Sequence, residues 1–251
     1  MPGTGTRPLP QAPPDPSPLL AAALPEAARA WLDEGVARVA VAPAAIRVLF
    51  PAARRRCGQQ RLDEHWSADE AARAVLLTAL PRDDAEALAR TVGDLYRHGD
   101  PAEQRAVLRS LPLLDGDSPE DDPFRDLALA LVREALRGND TTVVEAALGP
   151  YGAARLPDAE YRQAVLKCVF CEIPLDRIHG LDRRADTELA RMLADFAHER
   201  IAAGRDVPDD VWPLIRRHPE AAAGLADRAQ RLTPTRPEAA ARALAALTDK
   251  V

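Results

Sequence analysis

Aromatic residues are scarce in this chain: three tryptophans, three tyrosines and four phenylalanines in 251 residues. A core built without them relies on alanine, leucine and valine, which suits close helix packing better than strands, where aromatic and β-branched side chains are favoured. Cysteine is nearly absent as well. Cys57, Cys168 and Cys171 form an odd set with no framework spacing, which excludes a disulfide scaffold and fits a reducing compartment, the cytoplasm. Positive charge is not in excess: 33 Lys and Arg stand against 39 Asp and Glu, a net charge of -6, so a nucleic-acid partner is not expected. No stretch approaches the ~18 uninterrupted apolar residues that cross a bilayer. The opening "MPGTGTRPLPQAPPDPSP" also lacks the basic start and apolar run of a secretory signal peptide. HExxH, GxSxG, the P-loop and GxGxxG are all missing, and neither a metal site nor a cofactor is expected.

What is present is 47% hydrophobic, enough for a sizeable core. Residues 1–17, rich in proline, read as a disordered tail because proline neither donates a backbone hydrogen bond nor continues a helix. From Leu19 the chain reads as helix after helix, broken by Pro, Gly and Asp. Ser67 with Glu70, and Asp83 with Glu86, have capping-box spacing; Pro101 sits at a permitted first-turn position. "DGDSPEDD", 115–122, is acidic and turn-rich and reads as an exposed linker inside a single helical domain, 18–251. "DDPFRD", 121–126, superficially resembles an aspartate-rich magnesium motif, but it straddles Pro123 and reads as a helix cap. The fold class is all-α: irregularly stacked helical hairpins, either a HEAT-like α-solenoid or a compact orthogonal bundle. No strict repeat period decides between them.

Two helices in the second half carry more detail. In "DAEYRQAVLKCVFCE", stepping 100° per residue places Tyr161, Ala164, Val165, Cys168 and Val169 on one broad face, which Leu166 and Phe170 extend. Such a helix is expected to be central. The CxxC of Cys168 and Cys171 lies on this apolar helix without a second ligand pair, so both read as small buried hydrophobes. In "DTELARMLADFAHER", Leu189, Met192, Leu193 and Phe196 define the buried stripe, and Arg200 falls on it. An unpaired buried guanidinium costs several kcal/mol, so Arg200 must snorkel or meet Asp182, Glu199 or a carboxylate of another helix. His198 points with Arg191 and Asp195 to the polar face. "RRR", 54–56, suits the carbonyl end of a helix, although it could also grip phosphate or an acidic partner. Trp31, Trp66 and Trp212 read as core or seam residues.

Between those helices, residues 173–186 show neither helical nor alternating periodicity. Pro174 stops one helix, Gly180 permits a sharp turn and Asp186 can cap the next helix. The charges Asp176, Arg177, His179, Asp182, Arg183 and Arg184 crowd this loop, and some must pair. The candidate ligand-binding residues are therefore His179, Asp182, Arg183, His198 and Arg200, with an electrostatic lock of the fold as the competing reading.

The stretch "VLKCVFCEIPLDRIHGLDRRADTELARMLADFAHERIAAGR", 165–205, resembles the EboA-domain family, and "PYGAARLPDAEYRQAVLK", 150–167, is also similar to it. The resemblance implies a role in making or moving a secondary metabolite, with a protein partner encoded in the same gene cluster and a small-molecule metabolite as ligand. It carries no catalytic assignment. Two readings stand side by side. One is a helical binding or adaptor protein. The other is an enzyme acting on a phosphorylated or isoprenoid-like substrate, with His179 as acid or base, Asp182 orienting it and Arg183 holding an anion.

Overall fold

The computed structural model describes residues 15–115 and 122–248; the N-terminal tail up to residue 14 lies outside the described residues. Among the described residues every regular element is helical, and the one β contact is an isolated antiparallel bridge between Arg61 and Ser67. The expected all-α class is what forms. The chain divides into two compact units between Leu156 and Pro157.

The first unit contains α1 (Ser17–Ala23), α2 (Glu26–Val41), α3 (Ile46–Cys57), α4 (Ala68–Thr78), α5 (Ala85–His98), α6 (Pro101–Asp115), α7 (Pro123–Arg137), α8 (Thr141–Ala147) and α9 (Pro150–Arg155). Helices α4 to α8 each pack against the helix two places along, α4 on α6, α5 on α7 and α6 on α8, which is how stacked hairpins bury their faces. Helix α4 is the hub, in contact with α1, α2, α3 and α6. Its alanines at 68, 71, 72 and 74 let neighbours approach on every side.

That closeness also buries charge. Asp69, Glu70 and Arg73 of α4 are 4%, 2% and 1% exposed. Arg73 meets Asp69 at 2.7 Å and Glu103 of α6 at 3.8 Å, donates from Nε to the Phe50 carbonyl of α3 at 3.1 Å, and lies over the Phe50 ring. Glu70 is held by Arg105 at 3.0 Å and Arg109 at 2.5 Å, both from α6. A further buried carboxylate, Asp115, closes α6 between Arg125 of α7 at 3.4 Å and Arg155 of α9 at 2.9 Å. Residues 116–121 of the acidic stretch lie outside the described residues, and Asp122 caps α7 by accepting from the Phe124 amide at 2.7 Å.

Both capping assignments differ from expectation. Ser67 does precede α4, but its hydroxyl donates to Asp69 and Glu70 turns inward to its arginines. For α5 the cap is Asp84, one residue later than expected, accepting from the Ala87 amide at 2.8 Å. A reciprocal box forms instead at Asp100 and Glu103, with amide-to-carboxylate bonds of 2.9 and 3.1 Å around Pro101.

The second unit contains α10 (Asp158–Phe170), α11 (Leu181–Arg184), α12 (Thr187–Ala202), α13 (Trp212–Arg216), α14 (Pro219–Leu232) and α15 (Pro237–Thr248). Helix α12 packs on α14, and α14 on α15, so that Leu189, Leu193, Ala197 and Ile201 are buried together with Leu225, Ala229 and Ala240. Met192 is half-buried rather than part of the sealed stripe. Helix α10 buries the expected face, Tyr161, Ala164, Val165, Cys168 and Val169, yet Phe170 is 62% exposed and packs edge-on against Phe196 at 4.8 Å. It is therefore one-sided; the helix enclosed all round is α4. Cys168 is buried, whereas Cys171 is only half-buried at the end of α10.

Two outcomes follow. Arg73→Met should cost about 3–5 kcal/mol in urea unfolding, because Asp69 is left charged and unpaired inside; Asp69→Asn/Arg73→Met should cost less than the single change. Burial, with Asp69 nearby, pushes the Cys57 thiol up to about 11. Its thiolate is thus scarce below that pH, and iodoacetamide at pH 8 should modify Cys171 first and leave Cys57 intact in the folded chain, as read by mass spectrometry. The same shift raises the folded-state pKa above the ordinary value of 9.0, so its stabilising contribution is whole below pH 9 and lost as pH climbs towards 11.

Candidate functional site

The 173–186 segment is more ordered than its lack of periodicity implied. Leu175–Arg177 forms a 3-10 turn, Gly180 takes a left-handed φ of 73°, and Leu181–Arg184 makes the single helical turn α11. Only this reversal brings Arg184 back over α10. Its guanidinium stacks on the Tyr161 ring at 4.0 Å and pairs with Asp158 at 2.7 Å, while the Tyr161 hydroxyl donates to the His179 carbonyl at 2.7 Å. Burial pushes the Tyr161 phenol far above its ordinary range, so it stays a neutral donor. Asp186 accepts from the Leu189 amide as the α12 cap and also pairs with Arg162 at 2.6 Å. These contacts make a lock around α10, and its key is Arg184, which sequence reasoning noted as one charge of the loop but did not place in the site.

The five candidate residues separate. His179 is half-buried with its carbonyl engaged by Tyr161; Asp182 and Arg183 are exposed on α11. His198 is half-buried on α12, its Nδ1 buried without a hydrogen-bond partner among the described residues. Nearby, Arg191 clamps Glu188 and Asp195, and Asp195 also receives Arg228 of α14 at 2.7 Å. Arg200 lines a cleft. It lies over Phe196 at 5.8 Å and donates to the Asp206 carbonyl, a backbone oxygen rather than any of the carboxylates proposed for it.

That cleft, about 530 Å³, opens where α12 ends. Gly204 ends the helix with a φ of 72° and turns the chain so that Arg205 and Asp206 border it. Arg242 of α15 enters from the other side and pairs with Asp206 at 3.0 Å. Arg200, Arg205 and Arg242 thus converge, against the carboxylates of Asp206 and Asp209. Ile201, Val207, Trp212 and three alanines of α15 supply an apolar wall. Such a mixture can hold a small anion with an apolar body: guanidinium forks match carboxylate or phosphate, and Trp212 offers a flat face. Sequence reasoning missed Arg205 and Arg242 because they come from separate helical ends. Trp212, 7% exposed, was legible as a seam residue but not as a cleft wall. Among the described residues no cluster of His, Cys, Asp and Glu is arranged to hold a metal ion, and no helix is long and apolar enough to cross a membrane.

The family described as metabolite traffic protein EboA matches residues 51–216, two thirds of the chain, starting within α3 and running through α13. The chain belongs to the EboA family. The match reaches well before residue 150, so the end of α3 and helices α4 to α9 of the first unit fall within it too, beyond the stretch that carries the visible resemblance. It includes Arg200, Arg205, Asp206 and Trp212 but stops short of α15, which brings Arg242. No curated protein and no solved structure matches this EboA-family chain.

Arg184→Leu should lower unfolding stability by about 1–3 kcal/mol, since stacking and packing are lost even though the exposed Asp158 is readily rehydrated. Asp182→Ala and Arg183→Ala should stay within about 0.5 kcal/mol of the parent in the same denaturation experiment.

Proposed function

We propose that this EboA-family chain binds a small anionic metabolite in the cleft of its second unit, as a carrier or adaptor that passes it on to a partner protein. The presence of Arg200, Arg205 and Arg242 in one cleft, together with apolar lining residues, carries this reading. The family's description as metabolite traffic protein supports it. Arg205 makes no side-chain hydrogen bond or ion pair among the described residues, so it is ready to meet a ligand. Arg200 and Arg242 are tied only through Asp206, whose carboxylate an incoming anion can replace as the partner of Arg242. Of the residues singled out in the sequence, Arg200 belongs to this site; His179, Asp182, Arg183 and His198 do not line it.

The experiment is a titration of the chain's tryptophan emission, to which Trp212 contributes beside Trp31 and Trp66, with geranyl monophosphate, using geraniol as the uncharged comparison. The phosphate ester should quench and bind, the alcohol should bind more weakly, and the ester should be recovered unchanged. Arg200→Ala, Arg205→Ala and Arg242→Ala should each weaken binding by about tenfold or more, the worth of one charge-assisted hydrogen bond. Equal binding by the triple variant and the parent would remove the cleft from consideration.

A further inference from the structure

The first unit carries a charged surface of its own. Between Gly35 and Leu62 the chain has six arginines, at 38, 47, 54, 55, 56 and 61, and no acidic residue, in a protein whose net charge is -6. The helix α3 turns part of this run into one face. Stepping 100° per residue, Arg54, Arg47, Pro51, Arg55 and Val48 fall within an arc of roughly 120°. All five are exposed, while Ile46, Leu49, Phe50, Ala53 and Cys57 on the opposite side are buried. Arg47 pairs with Asp94 at 2.9 Å, but Arg38, Arg54, Arg55 and Arg56 have no ion pair among the described residues. Two of the largest departures from ordinary burial lie here as well: Val48 is 71% exposed, and Val41, at the end of α2, is 87% exposed. Val41 joins α3 through the short turn Pro43–Ala45, whose Pro43 and Ala44 are also exposed.

The dipole of α3 accounts for arginines in its last turn. The end of α2 likewise accounts for Arg38, and Asp94 partners Arg47. Neither accounts for the absence of any acidic residue over this run, or for valines left in water beside the charges. We propose that this face docks on an anionic phospholipid surface, arginines against the headgroups and Val41 and Val48 into the acyl boundary. A helix face rich in arginine with apolar residues on the same arc is the composition that lies in a bilayer interface. A bilayer also demands no matching shape from the convex side of a helix, as a folded acidic partner would. The chain then binds the membrane peripherally, from its first unit, independently of what occupies the cleft.

Co-sedimentation of the full chain with vesicles tests this, comparing phosphatidylcholine alone with vesicles in which about one third is phosphatidylglycerol. Binding should occur with the anionic vesicles and fall steeply as salt is raised. Arg54→Glu/Arg55→Glu should reduce the bound fraction on the order of tenfold or more, and Val41→Asp/Val48→Asp should reduce it at unchanged arginine content. Arg217→Glu/Arg231→Glu, exposed arginines of the other unit, changes the net charge equally and should leave binding intact. All substituted positions are exposed, and unaltered circular dichroism and melting would show that each variant folds. No sedimentation with anionic vesicles, or equal loss in the Arg217/Arg231 variant, would overturn the proposal; so would an acidic polypeptide such as polyglutamate binding the arginine face while the vesicles do not.

Discussion

The first unit is organised around a guanidinium sealed inside protein. Arg73 is 1% exposed and has carboxylates from its own helix and from α6 about it, with a carbonyl from α3 at its Nε. A buried ion cluster of this kind adds little net stability over an apolar substitute, because desolvation offsets most of the attraction. What it does add is direction. Each partner must occupy a defined place, since a carboxylate displaced from its arginine is left charged in a medium that does not solvate it. Helices α3, α4 and α6 are thereby held in one register, as alanine-on-alanine contact between smooth surfaces would not hold them. The same device recurs where Asp115 gathers α7 and α9 onto the end of α6.

The second unit repeats the strategy in a lighter form. Arg184 uses an aromatic ring and one exposed carboxylate, Asp158, instead of a cage of ions. The segment between α10 and α12 is thus ordered by contacts that leave Asp182 and Arg183 in solvent. An ion that holds the fold can stand next in sequence to one left in solvent: Arg184 is buried beside exposed Arg183.

Two surfaces then remain with charge that the fold does not consume. One is concave, in the second unit, with three arginines facing an apolar wall; the other is the outer side of α3. Their chemistry differs in a consistent way. The cleft sets Asp206 and Asp209 among its arginines, so its lining carries both signs of charge. The α3 face has no carboxylate in its own stretch of sequence, so it suits an extended anionic surface.

The amino-acid sequence by itself determined that this chain is helical, because alanine and leucine at helical spacing leave no alternation for a strand. It also determined the termini marked by Asp122, Gly180 and Asp186, whose short-range hydrogen bonds or backbone freedom act within a few residues. The buried face of α10 was legible for the same reason: periodicity is a local property. Only the tertiary structure decided that α4, not α10, is enclosed, and that Asp69, Glu70 and Arg73 are interior. Their neighbours come from α3 and α6, and charge placed among alanines has the same sequence pattern whether or not another helix covers it. Likewise the cleft joins Arg200 and Arg205 to Arg242 from a helix a long way along the chain, a meeting set by how α12, α14 and α15 pack rather than by any spacing in the sequence.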